Sequence, residues 1–131
     1  MDADAFFALY VSSDLLHQGA KEIFTQFLKS KARLYTTNLV LQEVETVISY
    51  RLGQKSAKDF LKRFNKINIE MVFVNKVLTA KAWLIFKKQT KRGTSFIDCA
   101  NLAIAQELKI DKIFSFDKFY QRVGLKTQIL F

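Results

Sequence analysis

The chain has 131 residues, half of them hydrophobic, with 13 phenylalanines and a formal net charge of +9. That composition excludes a disordered chain, and the length suits a single domain over residues 1–131. No apolar run approaches the roughly 18 residues of a membrane-spanning helix. A lone cysteine, Cys99, excludes an internal disulfide framework.

The first residues, MDADAFFALY, carry acids where a signal peptide needs positive charge. The expectation is a cytoplasmic protein without membrane contact, whose basic excess favours anionic partners, nucleic acid first. Ala20, Ile23, Phe24, Phe27 and Leu28 recur at helical spacing, with Ser13 or Asp14 available as a cap. RLYTT then predicts a strand, and Val40, Leu41, Val44, Val47 and Ile48 a second helix ending near Gly53. Ser56 and Asp59 have the spacing of a capping box that opens a third helix.

EMVFV predicts the next strand, and Asn75 can cap a helix whose Trp83 and Phe86 read as core, with stacking of one aromatic on a base as the alternative. A helix over Ser95 to Leu108, a strand at KIFSF, a short helix at DKFYQRV and a terminal strand at TQILF complete the chain. Strands alternating with helices predict an α/β fold with a mostly parallel sheet covered on both faces.

In such sheets ligands bind beyond the carboxyl ends of the strands. Asp2, Glu43, Asp98 and Asp117 all stand just after a predicted strand or in the first turns of the next helix. Asp98 is the only charge in SFIDCANLAIA, and Asp117 lies between Phe116 and Phe119, so both predict costly buried carboxylates. Each acid also has an ordinary reading: a capping-box partner for Ser95 (Asp98), an N-cap (Asp117), an ion pair with lysine (Glu43), a frayed terminus (Asp2). Together, like charges about 4 Å apart repel by roughly 4 kcal/mol at an effective dielectric near 20, which calls for a cation. Oxygen ligands without companion histidines or cysteines select Mg2+ or Mn2+. On a basic protein such a site suits phosphodiester hydrolysis.

DADAFFAL, TTNLVLQEV, SFIDCANLAIAQELKIDKIFSFDKFY and GLKTQIL resemble the PIN-domain ribonucleases, in particular VapC-type toxins of toxin–antitoxin modules. The resemblance implies a three-layer α/β/α, Rossmann-like fold and an acidic pocket that holds Mg2+ or Mn2+ and cleaves RNA. It assigns the pocket to Asp2, Glu43, Asp98 and Asp117, with Ser115 beside the last acid and Asp4 where the family more often has Ser, Thr or Asn. It further implies an antitoxin partner and a homodimer. The family has several apolar strand residues before its first aspartate, where this sequence has only Met1. The expectation is a natural polypeptide starting upstream, or an unusually short first strand.

Asn101, one turn after Asp98, either holds a metal-bound water or packs. Lys87, Lys88, Lys91 and Arg92 precede the helix of Asp98 and are the expected RNA-binding cations. His17 reads as a packing residue and Cys99 as a small buried hydrophobe. Two functions follow: a metal-dependent endoribonuclease restrained by an antitoxin, or a catalytically impaired PIN-like module that binds RNA or protein.

Overall fold

The computed structural model describes residues 1–127. They form helices α1 (Ala3–Tyr10) and α2 (His17–Lys29), strand β1 (Tyr35–Thr37), helices α3 (Asn38–Leu52) and α4 (Gln54–Phe64), and strand β2 (Glu70–Val72). Helices α5 (Lys76–Lys87) and α6 (Phe96–Glu107), strand β3 (Lys112–Ile113), helix α7 (Lys118–Arg122) and strand β4 (Lys126–Thr127) follow. β1 pairs with β2 and β3 with β4, both in parallel, as the alternation of strands and helices predicts. The expected terminal strand is present at Thr127; its remaining residues, 128–131, lie outside the described residues.

The first two residues bridge the strand pairs. The Met1 ammonium donates to the Tyr35 carbonyl at 2.6 Å, Thr36 Oγ1 donates to the Met1 carbonyl at 3.0 Å, and the Asp2 amide donates to the Phe114 carbonyl at 3.0 Å. One residue ahead of Asp2 is thus enough to set it between β1 and β3. Behind Met1 a cleft of about 320 Å3 separates the two pairs, lined by Arg33, Tyr35, Lys112 and Phe114 along the strands and by Phe27 and Ile104 from α2 and α6.

Three apolar clusters hold the elements together. Phe6, Val40, Val44, Ile48, Phe60 and Phe64 join α1, α3 and α4, with Phe6 meeting Phe60 and Phe64 edge-on at 6.3 and 5.6 Å. Such aromatic pairs contribute about 0.5–1.5 kcal/mol beyond area burial. Ala82, Cys99, Ala100, Leu102, Phe119 and Tyr120 seat α6 between α5 and α7. Ala5, Ala8, Ala20, Ile23 and Phe114 pack α1 and α2 against the end of β3. Helix α6 is buried continuously from Asp98 to Ala105, so no solvated polar face appears in its sequence.

Several local expectations meet tertiary competition. Asn75 does cap α5, its Oδ1 accepting from the Leu78 amide at 2.9 Å. Ser56 and Asp59 do not open a helix, because α4 starts at Gln54 directly from Gly53, whose φ of 92° ends α3. Instead, the Tyr10 hydroxyl lies 2.9 Å from both the Ser56 carbonyl and Asp59 Oδ2, tying α4 to α1. Asp14 accepts from the Leu16 amide in the turn before α2 rather than capping the helix itself. Leu28 is exposed at the end of its stripe. Trp83 and Phe86 are exposed rather than core (45% and 38%), because α5 buries its Ala82 side against α6.

Candidate active site

Asp2 is the N-cap of α1, where a short acceptor beside free helix amides is favoured. It is also 5% exposed, and a buried carboxylate needs donors. Its Oδ1 accepts from the Ala3 amide at 2.8 Å and from Asn101 Nδ2 at 3.0 Å. Its Oδ2 accepts from the Tyr120 hydroxyl at 2.8 Å and lies 3.3 Å from Ser115 Oγ. Asn101 thus donates directly to Asp2, and also to the Tyr120 hydroxyl at 2.9 Å.

Ser115, fully buried at the end of β3, links three acids. Its Oγ is 3.0 Å from Asp4 Oδ2 and 3.3 Å from Asp2 Oδ2, and it accepts from the Asp117 amide at 3.1 Å. Asp4 Oδ2 also accepts from the Phe116 amide at 2.7 Å. Asp4 Oδ1 is buried with no partner among the described residues. Burial, with repulsion from Asp2, pushes the Asp4 carboxyl up to about 6.

Asp98 is both buried and a capping-box partner. Its Oδ2 accepts from the Ser95 amide at 2.9 Å while Ser95 Oγ accepts from the Asp98 amide at 3.0 Å, a complete capping box. Its Oδ1 points the other way, 3.3 Å from the Tyr120 hydroxyl. Burial raises its carboxyl, and Asp2 and Asp117 raise it further. Glu43, half-buried on α3, is pushed up to about 7 by burial and then by Asp2, Asp98 and Asp4. Glu43 thus shares an electrostatic environment with acids that lie far from it in sequence.

Asp117 departs from expectation, since it is exposed rather than buried. It caps α7, its Oδ1 accepting from the Phe119 amide at 2.7 Å, and the phenylalanines beside it fill the cores without enclosing it. It lies at the rim, close enough to raise Asp98. Lys87, Lys88, Lys91 and Arg92 are exposed around the turn from α5 to α6, and none forms an ion pair among the described residues. His17 packs through its Nδ1, 2.8 Å from the Ala8 carbonyl, and Cys99 is buried.

The residue missed in the sequence is Tyr120. It is fully buried and its hydroxyl touches Asp2, Asp98 and Asn101. The single phenolic proton goes to Asp2 at the shorter distance. Burial, together with Asp2 and Asp98, raises the phenol far above its ordinary value, so it stays a donor. A polar aromatic three residues after a strand-end aspartate was the available signal.

The donor set fits a hard divalent cation. It is all oxygen, it contains an orphaned buried acceptor at Asp4 Oδ1, and its carboxyls raise one another. No group of three His, Cys, Asp or Glu side chains that could hold a metal ion is formed among the described residues.

A parallel α/β fold whose Asp2, Asp4 and Asp98 are joined through Ser115 and Tyr120 defines the class. The PIN domain family model matches residues 1–126, and the chain belongs to the PIN domain family. Among solved structures it is similar to the VapC20 toxin of Mycobacterium tuberculosis, described as Sarcin-Ricin loop cleaving. The TM-score is 0.82 and the identity 24%, over 95% of this chain and 93% of that one. That likeness shows the α/β PIN fold. No curated protein matches the chain. No helix among the described residues is long and apolar enough to cross a membrane.

Proposed function

We propose that this chain, as one domain over residues 1–131, is a metal-dependent endoribonuclease and the toxin of a VapBC-type toxin–antitoxin pair. The reading is supported by the links of Asp2 and Asp4 through Ser115 and of Asp2 and Asp98 through Tyr120, by the influence of all three on Glu43, and by the unpartnered Asp4 Oδ1. Asp2, Glu43, Asp98 and Asp117 would hold Mg2+ or Mn2+, with Asp4 Oδ1 as a further acceptor. A bound ion there supplies a water of lowered pKa and charge stabilisation for the leaving oxygen. Tyr120, Asn101 and Ser115 keep the Asp2 carboxylate oriented, and Lys87, Lys88, Lys91 and Arg92 attract the phosphate backbone. A basic exterior around an acidic pocket also suits an acidic antitoxin segment, and the family's habit suits a homodimer.

A second reading, the impaired binding module, is favoured by the absence of a closed three-acid cage among the described residues. Incubation of mixed RNA with the protein in Mn2+, Mg2+ and EDTA separates the two. Cleavage dependent on either ion and lost in Asp98→Asn is the expected result. Salt-sensitive RNA binding without cleavage in any ion would establish the module instead.

A further inference from the structure

Trp83 is 45% exposed on α5, although indole is among the side chains with most to gain from burial. It is held rather than free. Its ring lies 4.3 Å from that of Phe96 and meets Phe86 edge-on at 5.5 Å. Phe96 is the first residue of α6, so this aromatic group joins α5 to the start of α6. One helical turn beyond Trp83 on the same face is Lys87, and Lys88, Lys91 and Arg92 line the turn that leads to Ser95.

An exposed, rigidly backed ring with a lysine one helical turn away is an arrangement that can hold an unpaired nucleobase. Every base has a π-face, and the neighbouring ammonium and guanidinium groups neutralise the backbone on either side of it. The other exposed apolar residues of α5, Val77 and Leu84, lie about 100–120° round the helix from Trp83 and do not extend this platform. Residues 76–94 carry lysines and an arginine and no acid, with Glu107 of α6 paired to Lys81, a balance that suits a polyanion.

We propose that Trp83, backed by Phe86 and Phe96, is a stacking site for an unpaired base of the RNA. The site rests on the ribonuclease reading for its substrate but is tested without cleavage. Trp83 is the only tryptophan in the chain, so its fluorescence reports this position alone. In EDTA, a single-stranded oligouridylate is expected to quench that emission saturably, and an RNA duplex of equal length to quench it far less. In anisotropy of labelled single-stranded RNA, Trp83→Ala is expected to lose about 5- to 150-fold in affinity, Trp83→Phe to retain most of it, and Trp83→Leu to behave like Ala.

RNA binding that leaves the emission unchanged, or unaltered affinity in Trp83→Leu, would overturn the proposal. So would quenching that follows protein concentration alone, with a sedimentation dimer that Trp83→Leu breaks, because a second copy then covers the ring. Metal-dependent cleavage without quenching refutes only the stacking site. Quenching by single strands without cleavage in any ion refutes only the ribonuclease reading.

Discussion

Asp98→Asn perturbs the pocket with little change of shape. Asparagine Oδ1 can still accept from the Ser95 amide, so the capping box retains its geometry and loses only the charge–dipole attraction, about 0.3–1 kcal/mol. The electrostatic gain is larger. Asp2 Oδ2 and Asp98 Oδ1 lie 2.8 and 3.3 Å from the same Tyr120 oxygen, so those two carboxylate oxygens are within about 6 Å of each other. Two unit charges at about 6 Å repel by about 3 kcal/mol at an effective dielectric near 20. The new amide can also donate to the Tyr120 oxygen, which then receives from Asn101 and gives to Asp2. In EDTA at pH 8 the variant is therefore expected to be more stable by about 2 kcal/mol, roughly 5–10 °C in melting temperature for a chain of this size. In Mn2+ the order reverses, because wild type gains more from the ion, and cleavage falls. Thermal denaturation of both proteins in EDTA and in Mn2+, beside an RNA cleavage assay, measures each quantity. A variant that melts lower in EDTA and still cleaves refutes the shared acidic site.

Tyr120→Phe keeps the buried ring but removes the donor between Asp2 and Asp98. Calorimetry should read Mn2+ affinity about 10–100-fold weaker, the usual cost of losing a residue that orients a ligand, and an unchanged affinity would confine Tyr120 to packing. The metal-free protein should lose stability as pH rises from about 4 to 6. Asp4 moves from 3.8 to about 6 and Glu43 from 4.5 to about 7 on folding, so the folded state holds those protons more tightly until each folded pKa is passed. Burial moves the Met1 ammonium oppositely, from 8.0 to about 6, and returns stability between pH 6 and 8. Melting in EDTA that instead rises steadily from pH 4.5 to 6 would contradict the raised carboxyls. Adding Lys-Ile-Leu-Ile ahead of Met1 replaces the buried ammonium with an amide and offers apolar side chains to the cleft between β1 and β3. Each buried Ile or Leu contributes about 1.5–3 kcal/mol against about 1–2 kcal/mol of backbone ordering, so a higher melting temperature is expected, and no rise would show the cleft does not accept a strand.

By itself the sequence determined what depends on neighbours along the chain. Helix α6 and its cap follow from Ser95 and Asp98 three residues apart, the cap of α5 from Asn75, and the end of α3 from Gly53. The α/β class follows from strands alternating with helices. Tertiary structure alone decided which polar groups share a hydrogen bond. Asn101, Ser115 and Tyr120 reach Asp2 across sequence separations of 99, 113 and 118 residues, where no periodicity carries information. It also decided exposure at the margins. Asp117 and Trp83 have the local surroundings of buried residues, but the packing of α7 and α5 turns both outward. Propensity and capping are short-range energies legible in a few residues. Burial and charge repulsion belong to surfaces assembled from distant segments, and they exist only once the chain has folded.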